Sequence, residues 1–225
     1  SAGELTGFGQ AVLTPVMLRS GTPPDDFVMD LEALTRDPQG GWLTAFEGIT
    51  RIERLAGAGA LPRATHDWDL FAALFGNQAF EALATLPDRR MIAITETGAP
   101  AASVIWDGET WQRGPEIPVT PGYRITGADV GPDGCFYLIE RRYGIAAGFT
   151  FGLRRLSGGP GVWDDTLLYR TAPARLGNAE GLSVWENTAG QLMASVITDD
   201  GFWPLTPTRL IEFRLRPKVG CEVAF

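Results

Sequence analysis

Glutamates recur along this chain at the start of similar short apolar segments. The segments contain Glu32, Glu81 and Glu180, and a related segment has Thr126 at the corresponding position. They start at residues 32, 81, 126 and 180, at intervals of 49, 45 and 54 residues. A repeat of about 40 to 50 residues is typical of the four-stranded blade of a β-propeller. The glutamates should therefore occupy equivalent positions in successive blades.

A second apolar run follows each of these segments and ends in acidic residues. These residues are Glu47, Glu96, Glu140 and the pair Asp199-Asp200. In a propeller the first strand of each blade lines the central channel and the second strand returns antiparallel beside it, so the start of one meets the end of the other. We therefore expect Glu32, Glu81, Glu180 and Asp199 to converge on one mouth of the channel. Glu140 should lie at its rim, whereas solvated loop charge is the favoured interpretation of Glu47 and Glu96.

Carboxylates that converge in this way repel one another unless they are protonated or bridged by a cation. Ca²⁺ suits an all-oxygen site because it takes roughly six to eight hard oxygen ligands. The pattern therefore predicts a Ca²⁺ site with Glu32, Glu81, Glu180 and Asp199 as ligands. One alternative stays open: a glutamate at the start of each inner strand can accept backbone N–H bonds from the next blade and brace the ring.

Arginines are expected at the same end of the channel. Arg141 and Arg142 directly follow Glu140. Three more are expected to bind substrate, namely Arg51, Arg124 and Arg209. Guanidinium groups bind phosphate or carboxylate with two parallel hydrogen bonds. We predict a small anionic substrate, with Arg141 and Arg142 as catalytic groups that clamp the anion and Glu140 as the general base.

The strands that must position these groups can also be predicted. With 28 Gly and 16 Pro, long helices are disfavoured and strands and turns should dominate. Inner strands are predicted over 30–35, 80–85, 125–130 and 179–185, and third strands over 50–55, 102–106, 152–156 and 208–215. Short helical turns are expected near Asp69 to Phe75.

Residues 1–225 should form one all-β domain, a β-propeller of about five or six four-stranded blades. We interpret residues 13–18 as outer strands of a truncated first blade whose inner strands are missing from this chain. A β-sandwich is the structural alternative, but it does not predict a repeated Glu-x-Leu segment at blade period.

Composition excludes several classes of function. The formal net charge of −8 disfavours nucleic acid, because a phosphate backbone demands a basic face. His66 is the one histidine, so a histidine-rich zinc site is excluded. No apolar run reaches the roughly 18 residues of a membrane span. Cys135 and Cys221 are predicted not to bond, because they fall on strands of different blades.

Several of these segments resemble a known family. They are Glu-Ala-Leu at 32–34 with Phe46-Glu47-Gly48, Glu-Ala-Leu at 81–83, Thr126-Gly127-Ala128 with Glu140-Arg141-Arg142, and Asn178-Ala179-Glu180-Gly181-Leu182 followed by Thr198-Asp199-Asp200-Gly201-Phe202. Together they are similar to the bacterial phytase-like β-propeller family, also called esterase-like activity of phytase. The family usually begins with a further Gly-x-Ser-Gly-Leu copy, which fits a truncated first blade. The resemblance implies an exported protein, periplasmic or secreted.

Two classes of function follow from the residues and the resemblance. The first is a metal-assisted phosphoric ester hydrolase, in which Ca²⁺ neutralises the substrate and water is the nucleophile. The second is a non-catalytic propeller that binds a ligand or a protein in the cell envelope, since one fold hosts many functions. A lactonase-like esterase that depends on calcium is a third possibility.

Overall fold

A computed structural model of the chain describes residues 7, 9–25, 30–66, 71, 79–201 and 207–225. These residues form fifteen β-strands in four antiparallel sheets and contain no α-helix. None of them belongs to a helix long and apolar enough to cross a membrane. The helical turns expected near Asp69 to Phe75 fall almost entirely outside the described residues.

Each sheet is one blade of a propeller, with its strands in chain order from the channel outward. Blade 1 has β1 (Leu31–Arg36), β2 (Trp42–Phe46), β3 (Arg51–Leu55) and β4 (Arg63–Ala64), and blade 2 has β5 (Phe80–Thr85), β6 (Met91–Gly98), β7 (Ala101–Trp106) and β8 (Trp111–Arg113). Blade 3 has β9 (Arg124–Val130), β10 (Phe136–Gly144), β11 (Gly148–Ser157) and β12 (Asp164–Arg170). Blade 4 has β13 (Asn178–Glu186), β14 (Leu192–Asp199) and β15 (Arg209–Arg214).

The all-β propeller fold and the predicted inner and third strands are confirmed. The described residues form four blades, and a count of five or six stays a prediction. Residues 13–18 form no strand, so the outer strands predicted there are wrong, whereas a truncated first blade stays a prediction. At the N-terminal edge of this stretch, Val12 and Leu13 are 79% and 96% exposed, so they lack the packing that would order an outer strand.

The core lies between neighbouring blades rather than inside any one of them. Leu43 and Ile52 of blade 1 pack with Phe80 and Met91 of blade 2. Equivalent clusters lie between blades 2 and 3 and between blades 3 and 4. Side chains alternate along each strand between the two faces of its sheet. Neighbouring blades therefore bury apolar side chains between them and pack face to face. The inner strands β1, β5, β9 and β13 therefore follow one another around the channel.

The prediction for the two cysteines is wrong. Cys135 and Cys221 form a disulfide, with their Cα atoms 5.1 Å apart. The reason is the path of residues 216–225, which we call the C-terminal strap. After β15 the strap leaves blade 4 and crosses blade 3, where Val223 forms a parallel bridge with Gly158. Cys221 consequently reaches the start of β10 instead of an outer strand.

The turn before β10 shows how closely the strap approaches. Gly134 has a φ of 78°, a conformation that glycine adopts without steric cost. A β-carbon at this position would lie 2.6 Å from the carbonyl oxygen of Cys221. The Pro-Asp-Gly turn between β9 and β10 thus needs glycine for its backbone conformation and for contact with the strap.

Candidate metal site

Three carboxylates of blade 1 form a compact group of oxygen donors. Asp30 directly precedes β1, Glu32 lies in β1, and Glu47 directly follows β2. The antiparallel pairing of Leu31 with Phe46 brings these positions together, and the Glu47 N–H donates to the Asp30 carbonyl oxygen at 2.7 Å. One carboxylate oxygen from each residue lies within 4.8 Å of the other two. Glu47 is buried at 7% exposure, so its interpretation as solvated loop charge is wrong.

Glu81 and Glu180 extend this group around the channel. Together with Glu32 they line a cavity of about 680 Å³ between the inner strands. Repulsion by Glu32 and Glu180 contributes to the raised pKa of Glu81, and all three side chains line the same cavity. The structure therefore brings Glu32, Glu81 and Glu180 together, as their positions in the repeat predict. Their roles as metal ligands stay predictions.

The cluster holds protons more tightly than ordinary carboxyl groups do. Burial raises the pKa of Glu81 to about 9, and repulsion by Glu32 adds to this shift. Burial also raises the pKa of Glu32 to about 8, with a further contribution from Asp30. The pKa of Glu180 rises only to about 7, because Arg141 partly offsets its burial. The raised pKa values favour the protonated forms of Glu32 and Glu81 near neutral pH.

Arg141 connects the cluster across three blades. From the end of the β9–β10 pairing in blade 3, its Nη2 lies 3.3 Å from Oε1 of Glu96 in blade 2. Its Nη1 lies 2.9 Å from Oδ1 of Asn178 and 3.4 Å from Oε1 of Glu180 in blade 4. Arg124 forms a second ion pair with Glu96. Glu96 is thus buried and paired, and its interpretation as solvated loop charge is wrong.

One oxygen of Glu180 has no hydrogen-bond partner among the described residues. Its Oε1 accepts from Nδ2 of Asn178 at 2.5 Å and lies close to Arg141. Its Oε2 is buried and unpartnered. A buried oxygen without a donor is costly unless something else satisfies it, and a metal ion satisfies it well. This atom is therefore a candidate metal ligand, beside the separate group of three oxygens in blade 1.

The general base assigned from the sequence lies away from the rim of the channel. Glu140 is fully buried within blade 3. Its Oε2 accepts from the Thr120 N–H at 3.0 Å and from Nη1 of Arg154 at 2.9 Å, and its Oε1 accepts from Nη2 of Arg170 at 3.2 Å. The predicted rim position is wrong, because the side chain points to the outer strands β11 and β12. Both oxygens are already engaged in ion pairs.

The remaining predicted site residues lie farther out or have other partners. Arg142 is exposed, with its guanidinium carbon 5.3 Å from the centre of the Tyr123 ring. Arg51 pairs with Glu53 at 3.3 Å and stacks over Phe46. Nη1 of Arg209 donates to the Arg175 carbonyl oxygen at 3.0 Å. Asp199 is exposed, and its charge contributes to the raised pKa of Glu180.

Two residues of this site are not predicted from the sequence. Asp30 and Asn178 each lie two residues before a repeat glutamate, just where an inner strand begins. The one available signal was this equal offset from Glu32 and Glu180. It could have identified them as partners of the same channel mouth.

A comparison with protein families gives a match over most of the chain. Residues 3–202 match the family model Phytase-like, described as esterase-like activity of phytase. The chain belongs to this family. A search among curated proteins found no match.

Three solved structures illustrate more distant similarities. A protein assigned as a gluconolactonase is 12% identical, with a TM-score of 0.46 over 74% of this chain and 57% of that one. A protein from Thermus thermophilus assigned as an oxidoreductase (glucose dehydrogenase) is 22% identical, with a TM-score of 0.35 over 56% of this chain and 38% of that one. The extracellular domain of the one-component system BT4673 from B. thetaiotaomicron is 15% identical, with a TM-score of 0.37 over 80% and 30%. This chain therefore covers only 57%, 38% and 30% of the length of these three proteins.

Proposed function

We propose that the acidic end of the channel is the metal site of an ester hydrolase, with phosphoric esters as the first substrate class. The observation that carries this proposal is the group formed by Asp30, Glu32 and Glu47, whose carboxylate oxygens lie within 4.8 Å of one another. Such a group is unfavourable unless it is protonated or bridged by a cation. Membership of a family described by esterase-like activity supports the reaction class.

The chemistry of the donors selects calcium among common protein metals. Asp30, Glu32 and Glu47 would each contribute an oxygen, and the unpartnered Oε2 of Glu180 would contribute a fourth. The site offers neither imidazole nor thiolate, which favours a hard cation over zinc. When bound, Ca²⁺ would supply the positive charge that polarises the phosphoryl or carbonyl oxygen of an ester.

The residues around the site supply the remaining functions. A water molecule attacks the ester and gives a proton to Glu81, which lines the cavity beside Glu32 and Glu180. The bond to the leaving alkoxide breaks, and the alkoxide takes up this proton and leaves as an alcohol. A positive charge nearby lowers the pKa of Glu81, so that it can accept a proton near neutral pH. Glu140 is unsuited to this role because Arg154 and Arg170 occupy its oxygens. Arg142, exposed at the same end of blade 3, is one guanidinium available to contact an anionic group.

A carboxylic ester, such as a lactone, is the second candidate substrate. The wall of the cavity is largely aliphatic, formed by Leu31, Leu34, Leu83, Leu182, Ile197 and Leu210. In addition, Arg51, Arg124 and Arg141 are paired with carboxylates and are less available to a polyanion. An apolar wall with few available cations favours a neutral ester more than a polyphosphate.

Hydrolysis of two model esters tests the reaction and separates the candidates. We expect calcium-dependent release of p-nitrophenol from p-nitrophenyl phosphate or from p-nitrophenyl acetate, abolished by EGTA. Glu32→Gln should lose activity, whereas Glu186→Gln, at the exposed far end of β13, should keep it. Calcium binding without hydrolysis of either ester would reject the enzyme and favour a propeller that binds a ligand or a protein.

We also propose that the protein is exported to the periplasm or secreted. The disulfide between Cys135 and Cys221 supports this proposal, because structural disulfides persist in oxidising compartments and are rare in the cytosol. Fractionation of cells that express the full-length gene tests it. Recovery of the protein with reduced cysteines in the cytoplasm would reject it.

A further inference from the structure

Arg141 is placed differently from a side chain that binds substrate. Its Nη1 is engaged by Asn178 and Glu180, and its Nη2 by Glu96. Its Nε is buried, without a partner among the described residues. The guanidinium carbon also lies 5.9 Å from the centre of the Phe149 ring. The guanidinium is therefore oriented toward the protein, and its three nitrogens are buried or occupied.

Blade 3 differs from the other blades at the channel mouth, because it contributes Arg141 there and has no glutamate at the repeat position of its inner strand. Its inner strand carries Thr126 where the repeat has glutamate elsewhere, and this side chain is almost fully buried. The Thr126 hydroxyl donates to the Ala179 carbonyl oxygen at 2.7 Å, which holds the start of β13 beside β9. Blade 3 thus contributes a cation to the mouth, while blades 1, 2 and 4 contribute carboxylates.

We infer that Arg141 is a positioning residue for the metal site: together with Asn178 it holds Oε1 of Glu180 so that Oε2 stays free for a cation. This inference rests on the proposed calcium site and changes the role that the sequence predicts for Arg141. Asn178 and Arg141 approach the same oxygen, at 2.5 and 3.4 Å. Without them the Glu180 carboxylate could rotate, and either oxygen could turn away from the cluster.

Whether calcium affinity falls or rises in Arg141→Gln distinguishes a positioning role of Arg141 from a purely electrostatic effect of its charge. Removing a positive charge near a cation site strengthens cation binding by electrostatics alone. Loss of the orientation of Glu180 weakens it. A weaker affinity in Arg141→Gln can therefore arise only if lost positioning outweighs the electrostatic gain.

Calcium titration of the full chain by isothermal calorimetry tests the inference. We expect Arg141→Gln to bind calcium about tenfold more weakly than the wild type, which corresponds to about 1.4 kcal/mol. Arg175→Gln is the matched control, because it removes the same charge from an exposed residue shortly before β13. It should bind calcium as tightly as the wild type or more tightly. An affinity of Arg141→Gln equal to that of Arg175→Gln would overturn the inference.

Two further measurements keep the inference testable. Asn178→Ala retains the guanidinium but removes the donor to Oε1, so it should also weaken calcium binding, and it replaces Arg141→Gln if that variant does not fold. Unchanged affinity in Asn178→Ala would overturn the inference, and so would a lower melting temperature with unchanged affinity, because it would indicate a brace between blades only. If the wild type itself fails to bind calcium, the proposed metal site falls and this inference falls with it.

Discussion

Neighbouring carboxylates of this site differ because their partners differ. Glu180 has Arg141 and Asn178 beside it and a pKa of about 7. Glu81 has acidic neighbours and lies deeper, and its pKa reaches about 9. A ligand role and a bracing role for the repeat glutamates therefore have different experimental signatures, which single substitutions can separate.

Glu180→Gln should reduce the response of the protein to calcium. The change keeps the shape of the side chain and removes the charge of the free Oε2. Calcium that binds only the folded state stabilises it by about 2.7 kcal/mol at a concentration of 100 Kd, so the wild type should show a clear rise in melting temperature. We expect a smaller rise in Glu180→Gln and an unchanged rise in Glu186→Gln, measured by differential scanning fluorimetry. Equal rises in the wild type and Glu180→Gln would reject the ligand role of Glu180.

The stability of the calcium-free protein should fall as the pH rises from about 5 to 9. The folded protein keeps protons on Glu180, Glu32 and Glu81 up to pKa values of about 7, 8 and 9. The unfolded chain loses these protons near its ordinary carboxyl pKa of about 4.3. Above that pH the unfolded state binds fewer protons than the folded state, so the free energy of unfolding decreases until the folded groups ionise.

Urea unfolding in EGTA across this pH range measures the decrease. Glu81→Gln should show a smaller decrease, because glutamine resembles the protonated acid and does not ionise. Calcium should also reduce this pH-dependent loss of stability, since the bound cation stabilises the ionised carboxylates. Stability that is flat or rises between pH 5 and 9 would contradict the raised pKa values.

The sequence predicts some of these residues and misses others for identifiable reasons. Glu32, Glu81 and Glu180 follow from the repeat alone, because equal positions in successive blades meet at the channel. The sequence wrongly predicts solvent exposure for Glu47 and Glu96 because their burial depends on side chains from other blades, such as the pairing of Glu96 with Arg124 and Arg141. Contacts of this kind have no local pattern in the sequence.

At the level of the elements, β10 carries two different kinds of charge. Glu140 and Arg141 are adjacent in this strand, so their side chains point to opposite faces of the sheet. Arg141 reaches Asn178 of blade 4, and Glu140 reaches Arg154 and Arg170 of β11 and β12. This alternation explains why a Glu-Arg-Arg segment that looks like one catalytic group in the sequence is divided between the channel mouth and the interior of blade 3.

Glu140→Gln should destabilise the protein without changing its affinity for calcium. Glutamine leaves Arg154 and Arg170 without their shared counter-charge, and breaking a buried ion pair costs about 3 kcal/mol or more. Urea unfolding should therefore show a clearly lower midpoint, whereas Glu109→Gln, on an exposed turn of blade 2, should match the wild type. Loss of calcium binding in a folded Glu140→Gln protein would instead connect Glu140 with the metal site.

The strands themselves were more predictable than their contacts. Apolar runs bounded by Pro-Asp-Gly and similar turns predict β5, β9 and β13 to within one or two residues. The stretch at 13–18 has a similar apolar composition but pairs with no strand of the described residues, and it forms none itself. Composition therefore indicates a strand only where a partner strand is available.

At the scale of the whole molecule, the acidic cluster and the C-terminal strap lie at opposite ends of the blades. The carboxylates and Arg141 lie where inner strands begin and second strands end. The C-terminal strap contacts the opposite end, where Phe225 packs against Phe136 and accepts a hydrogen bond from Arg90 of blade 2 at 3.1 Å. Between Cys135 and Arg141 the chain spans about 20 Å at the usual rise of a β-strand.

Removing the disulfide should therefore lower stability and leave calcium binding intact. The bond joins residues 86 apart in sequence, and closing a loop of this size destabilises the unfolded chain by about 4.6 kcal/mol in the chain-entropy estimate. Cys221→Ser should lower the melting temperature, and reduction of the wild type should have a similar effect. Lys218 and Phe225 should keep the strap in place, because their contacts with Asp164 and Phe136 do not depend on the bond.

Calcium titration of Cys221→Ser then tests whether the two ends are independent. Because the strap contacts the end of blade 3 opposite to the acidic cluster, we expect the calcium affinity of the wild type, together with the same rise in melting temperature on a lower baseline. Glu222→Ser, an exposed neighbour in the strap, should leave both quantities unchanged. A loss of calcium affinity in Cys221→Ser that the control does not share would show that the strap sets the spacing of the blades at the far mouth, and the two ends would then act as one unit.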